Sequence, residues 1–254
     1  MLTKTVTATF DLDKRIGELD VSLFERIESQ TTEDDRQSLL AIQRAVRSQG
    51  EYVYLEIGSH LGGTLQPHLV DPLCTKIYSI DLRPQVVDDA RGEKQTYIDN
   101  STERMIRLLS EVSHDDVKKI ATIDASTRDV DPDVIDPKPT LCFIDGEHTD
   151  HAVIADFDFC VRVAAEGCSI VFHDSDLVYR GIRKILRTLT GQGVKYDAMK
   201  LGGSVFAITF AGSPLNSDRD LRNLSRSVPY HFVRSDIRLR IKRYKLKRGN
   251  KPKK

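Results

Sequence analysis

Apolar positions along the chain follow two alternating rhythms. Short runs rich in β-branched and aromatic residues, bounded by turn formers, read as buried strands: Tyr52 to Ile57, Lys76 to Ile80, Val117 to Ile123, Thr140 to Ile144 and Cys168 to Phe172. Between them, apolar residues three or four apart predict helices over Thr64 to Val70, Ser101 to Val112, Thr149 to Ala165 and Val178 to Leu189. Ahead of the first strand, Leu39, Leu40, Ile42 and Val46 make one stripe of a further helix. Thr31 and Thr32 followed by Glu33, Asp34 and Asp35 supply a hydroxyl cap and an acidic first turn, and Gly50 closes it beyond Arg44 and Arg47. Two last runs, Val194 to Met199 and Ser204 to Phe210, predict an antiparallel hairpin around Gly202-Gly203.

Five strand–helix units and a closing strand pair imply an α/β fold. The expected architecture is a doubly wound, Rossmann-like, seven-stranded sheet, mostly parallel with one antiparallel edge strand and helices on both faces. Three segments follow: a helical lead-in over 1–50 with a candidate helix near Val21 to Ile27, a main domain over 51–212, and an extension over 213–254.

Composition narrows the class. Hydrophobic content of 39% with 30% charged residues describes a soluble globular protein, and no apolar run approaches the ~20 residues of a membrane span. The N-terminus has no basic stretch followed by an apolar core, which favours a cytoplasmic location. Cys74, Cys142, Cys160 and Cys168 show no Cys-x-x-Cys spacing, and read as buried reduced thiols rather than a zinc site.

Zero net charge conceals an asymmetry. Residues 234–254 hold eleven of the 38 basic residues and one of the 38 acidic ones, Asp236, leaving 27 basic and 37 acidic residues elsewhere. Such a tail suits phosphate contact or an anionic membrane surface, with Ile237, Leu239, Ile241, Tyr244 and Leu246 interleaved among the charges; a solvated, disordered extension is the plain alternative. Attachment at the inner membrane surface and homo-oligomerisation are both compatible with this pattern.

The chemistry concentrates where strands end. The first strand runs through Glu56 into Gly58-Ser59-His60-Leu61-Gly62-Gly63-Thr64, a turn in which missing side chains let backbone N–H groups approach a ligand. Its pattern is not the Gly-x-Gly-x-x-Gly of pyrophosphate binding, and Glu56 would repel a phosphate, so a cationic or hydroxyl-rich ligand suits the turn better. Asp81, about 20 residues on at the second strand tip, is placed for ribose hydroxyls, though it would also serve to cap a helix after Pro84. Asp124 and Ser126 at the third tip could meet an adenine edge or simply form a turn. The fourth and fifth tips carry Asp145-Gly146-Glu147-His148 and His173-Asp174. In open parallel sheets these tips share one rim, so Asp145, His173 and Asp174 form a candidate site for Mg²⁺ or Mn²⁺. His148 is the candidate general base, against a plain capping role; the alternative for His173 is a satisfied core histidine.

From Tyr52 to Phe210 the sequence resembles class I S-adenosylmethionine-dependent methyltransferases. Glu56-Ile-Gly58-Ser59-x-x-Gly62 matches their first motif and Asp81 their ribose-binding acid. Phe-Ile-Asp145-Gly-Glu-His148 with Val-Phe-His173-Asp174 is similar to the branch of metal-dependent sugar O-methyltransferases and cephalosporin hydroxylase-like proteins. That resemblance implies S-adenosylmethionine bound by Glu56, Gly58, Ser59, Gly62, Thr64, Asp81, Asp124, Ser126 and Asp145. It also implies Mg²⁺ on Asp145, His173 and Asp174, catalysis by His148 with Asp145, and a sugar or glycan hydroxyl as acceptor. His173 departs from the macrolide enzymes of that branch, which carry an acid there. The resemblance does not cover the first ~50 residues or the tail. A hydroxylase-like metal enzyme on the same scaffold, or a nucleic-acid- or membrane-binding protein using the tail, are the rival readings.

Overall fold

The computed structural model describes residues 11–88 and 94–249. The sheet is built from β1 (Tyr52–Ile57), β2 (Cys74–Ile80), β5 (Ile120–Ile123), β6 (Leu141–Ile144), β7 (Ser169–Phe172), β8 (Asp197–Lys200) and β9 (Phe206–Thr209). A separate hairpin joins β3 (Val86–Asp88) and β4 (Lys94–Thr96). The sheet order is β5-β2-β1-β6-β7-β9-β8. Pairing is parallel from β5 across to β7; β9 runs antiparallel to both β7 and β8, so the edge strand β8 has only an antiparallel neighbour. This is the predicted mostly parallel sheet, with the reversed strand lying one place in from the edge.

The alternation of β1 explains why both faces are covered. Tyr52 and Tyr54 enter one core with Ala41 and Ile42 of α1 (Glu33–Arg47), Leu69 of α2 (Gln66–Val70) and Leu109 of α3 (Thr102–Val112). Val53, Leu55 and Ile57 enter the other with Phe157 of α4 (Asp150–Val163) and Ile182 of α5 (Tyr179–Gly191). A central strand flanked by parallel neighbours is buried on both faces, and all six β1 residues are buried. Beneath the Tyr52 end, the Asp71 carboxylate accepts from Tyr52, Gln43 and Arg47, which keeps these polar groups paired inside the core.

Three expectations change. Val21 to Ile27 forms a short 3₁₀ turn, Val21–Phe24, instead of a helix, because Asp20 caps it by accepting from Ser22 N and no apolar period follows. Residues 117–119 are also 3₁₀, so the third strand starts at Ile120. The extension is ordered: α6 (Arg219–Leu224) precedes α7 (Val228–Gly249), whose His231, Ser235 and Leu239 are buried. Residues 1–10 and 250–254 of the lead-in and tail lie outside the described residues. All four cysteines are buried and free, as read.

Candidate active site

The register sets the strand tips level. Ile57 pairs with Ile80 and with Ile144, Ile80 with Ile123, and Ile144 with Phe172. The next residue on each strand therefore stands at the same height: Gly58, Asp81, Asp124, Asp145 and His173. Their backbones continue the ladder, with Gly58 N donating to Ile80 O at 2.8 Å, Asp145 N to Ile57 O at 2.9 Å and His173 N to Ile144 O at 3.0 Å. Above this row lies a cavity of about 460 Å³. Gly58, Ser59, Thr64, Asp81, Ser126, Asp145, His148, His173 and Asp174 all line it, residues scattered over more than a hundred positions gathered at one rim.

Three predicted residues stand back from that lining. Glu56 is fully buried, with Tyr54 Oη donating to Oε2 at 2.6 Å and Thr64 Oγ1 to Oε1 at 2.7 Å. Its place is beneath the glycine turn, where it holds Thr64. Gly62, at φ +83°, packs against Leu109 and Met105. Asp124 accepts from Thr102 Oγ1 at 2.5 Å and lies 3.6 Å from Arg83 Nε. Asp81 accepts from the backbone N–H of His60 and of Arg83, each at 2.9 Å, and a carboxylate keeps further acceptor positions for a ligand.

Burial pushes the Glu56 carboxyl up to about 8, against the pull of its two hydroxyl donors. Because this lies above the unfolded value, the linked stability is present below about 4.5 and is lost as pH rises through about 8. Glu56→Gln is therefore expected to flatten the fall in melting temperature between roughly pH 5 and 9. A fall as steep in the variant as in the parent would place that titration elsewhere.

One corner of the cavity is a chain of facing acids and imidazoles. His173 Nδ1 lies 2.9 Å from Asp145 Oδ1, and its Nε2 is 3.4 Å from Asp35 Oδ2 without a well-directed hydrogen bond. Burial would lower the His173 pKa, but Asp145 and Asp35 raise it well above the ordinary value. Burial likewise opposes ionisation of Asp145, yet the charge and hydrogen bond of His173, with the His148 imidazole nearby, bring its pKa down to about 2. His148 Nε2 lies 3.6 Å from Asp145 Oδ1 and 3.3 Å from Asp174 Oδ2. Burial pulls His148 down, the nearby carboxylates of Asp145 and Asp174 push it up, and the net shift is upward.

Asp145, His148 and Asp174 thus offer ligand atoms within 4.8 Å of one another, two carboxylates and an imidazole suited to a divalent cation. His173 is not in that group, because both of its nitrogens are turned to carboxylates. Of the expected metal set, Asp145 and Asp174 fall in that cluster and His173 does not.

Two contributors were not read from sequence. Asp35 was placed only in a helix cap; it does close a capping box with Thr32, but it also accepts from Ser204 N at 2.6 Å and faces His173. Nothing local in the sequence signals a contact across 169 positions. Asp156, on the first turns of α4, lines the cavity, accepts from Thr127 Oγ1 at 2.6 Å and is raised by burial to about 6. An acid interrupting the apolar face of that helix was the available signal.

Sheet order and topology are those of the Rossmann-like methyltransferase fold. Residues 55–175 match the family model described as a methyltransferase domain. Among solved structures it is similar to cofactor-bound Rv0187 from MTB, at 15% identity, covering 82% of this chain and 90% of that one with a TM-score of 0.52. It is also similar to the O-methyltransferase TomG from Streptomyces achromogenes, at 14% identity, 80% and 88% coverage and a TM-score of 0.50. At these identities the likeness is one of fold. No curated protein matches the sequence.

Proposed function

We propose that the chain transfers the methyl group of S-adenosylmethionine to a hydroxyl of a sugar, in a glycan, glycolipid or glycosylated natural product, with a divalent cation, Mg²⁺ or Mn²⁺, at Asp145 and Asp174. The observation that carries this reading is the opening of the Asp145–His148–Asp174 cluster into the cavity that also holds the glycine turn and Asp81. The turn and Asp81 would take the methionine and ribose portions of the cofactor. A cation there would grip neighbouring acceptor oxygens and acidify a hydroxyl.

His148 Nε2 would take the acceptor proton as the acceptor oxygen attacks the methyl group, which bound S-adenosylmethionine would supply, the C–S bonding pair remaining on its sulfur. The reaction requires alignment more than covalent help, so the fixed rim supplies most of the rate. Asp145 and Asp174 orient the imidazole, and His173, clamped between Asp35 and Asp145, orients Asp145. Glu28, Ser29 and Gln30 line the same cavity, a polar wall that suits a polyol acceptor. The similarity to TomG, an O-methyltransferase, supports oxygen as the nucleophile.

His148→Ala is expected to lower turnover by about 10²-fold while the cofactor dissociation constant is retained. The measurement is a labelled-cofactor assay over a panel of sugar acceptors, with and without chelator, beside a calorimetric titration of cofactor. Unchanged turnover in the variant would remove His148 as base, turnover indifferent to chelator would remove the cation, and a product gaining oxygen in place of methyl would favour hydroxylase-like chemistry.

A further inference from the structure

The helix α7 has apolar residues on two opposite faces. One face carries His231, Ser235 and Leu239, all buried, and Phe232, which packs against the second core. Its orientation is fixed by side chains from the body: Tyr179 Oη donates to Asp236 Oδ1 at 2.5 Å, and Asp176 pairs with Arg238 and lies 3.4 Å from the His231 ring. On the other face stand Tyr230, Val233, Ile237 and Ile241, between 51% and 64% exposed. Their spacing of three, four and four residues stacks them in one stripe, and helical geometry at 100° per residue sets that stripe opposite the buried line. An ordinary surface helix would present charge there.

The flanks of the stripe identify its partner. Arg234 and Arg240 fall on either side of it by the same helical count, and both are exposed. The segment from Arg234 onward carries eleven basic residues against one acid, while the rest of the chain has an excess of acids. A second copy would have to bring two such basic segments together, which their charge opposes. A nucleic acid would engage the arginines and leave an isoleucine, valine and tyrosine stripe with nothing to bury in. An anionic bilayer satisfies both features: apolar side chains enter the headgroup boundary and flanking arginines meet lipid phosphates. No described helix is long and apolar enough to cross a membrane, which is consistent with a helix lying flat.

We propose that the outward face of α7 is a docking surface for an anionic lipid bilayer. This goes beyond the methyl-transfer reading and does not depend on which acceptor is used.

The full chain would be floated with vesicles of phosphatidylcholine alone and of phosphatidylcholine mixed with phosphatidylglycerol, at low and high salt. The anionic vesicles are expected to carry about tenfold more protein than the neutral ones, with the difference shrinking as salt rises. Ile237→Glu combined with Ile241→Glu should abolish flotation while melting temperature and cofactor affinity stay unchanged, since both side chains are exposed on the outward face. Arg234→Ser should weaken binding at low salt more than at high salt. Parent protein that stays in the soluble fraction, or a double variant that floats as well as the parent, would overturn the proposal. So would a parent dimer that the double variant turns into a monomer, which would make a second copy the occupant. Binding to RNA that anionic vesicles fail to displace would overturn it as well.

Discussion

Asp145→Asn is expected to cost about 10³-fold in turnover while leaving cofactor affinity within a few-fold of the parent. Asp145 Oδ1 serves three purposes at once. It accepts from His173 Nδ1 at 2.9 Å, faces His148 Nε2 at 3.6 Å, and belongs to the cluster proposed to hold the cation. Asparagine keeps the shape and removes the charge, so the imidazoles lose the ionised acceptor between them. The steepness follows from how Asp145 is held, since the His173 charge keeps it ionised down to about 2. Calorimetric binding and single-turnover methyl transfer, measured on the same preparation, separate the two effects. A variant turning over within about threefold of the parent would mean that the chemistry does not pass through this corner.

Gly58→Ala is expected to destabilise the chain by about 4 kcal/mol or more, enough to leave little folded protein. Gly58 sits at φ +88°, where a side chain is strained, and an added Cβ would lie 2.3 Å from the carbonyl oxygen of Asp145 and 2.6 Å from Gly146 Cα. Those neighbours are backbone, fixed by the β1–β6 pairing, and cannot move aside as a flexible side chain could. Gly191, on α5 with nothing within 4 Å of an added Cβ, is the control: Gly191→Ala should be neutral or slightly stabilising. Denaturant unfolding of both variants gives the comparison, and equal stability would mean that the turn relaxes away from Asp145.

The contrast between these two residues and Asp35 shows where sequence reading stops. Gly58 and Asp145 announce themselves locally, each ending a short apolar run where a parallel strand must open onto its ligand edge. Asp35 announces only a helix cap, and its bonds to Ser204 and proximity to His173 arise because the β8–β9 turn folds back over α1. His173 was placed with the metal ligands for the same reason: its strand-tip position was legible, but not the two carboxylates its ring nitrogens face. The 22-residue α7 was missed because its apolar residues fall on both faces, so the pattern reads as an even mixture of charge and hydrophobe.

The amino-acid order alone settled the main strands and helices, the mostly parallel sheet, and the set of polar residues at the strand tips. Each of these follows from interactions within a few residues: periodicity, capping and turn chemistry. Only the tertiary structure decided the roles of those residues. It placed Glu56 beneath the turn, turned His173 toward two acids, and left Asp145, His148 and Asp174 facing one another. Such assignments depend on distances between side chains far apart along the chain, which pairing register and helix packing fix and no local pattern encodes.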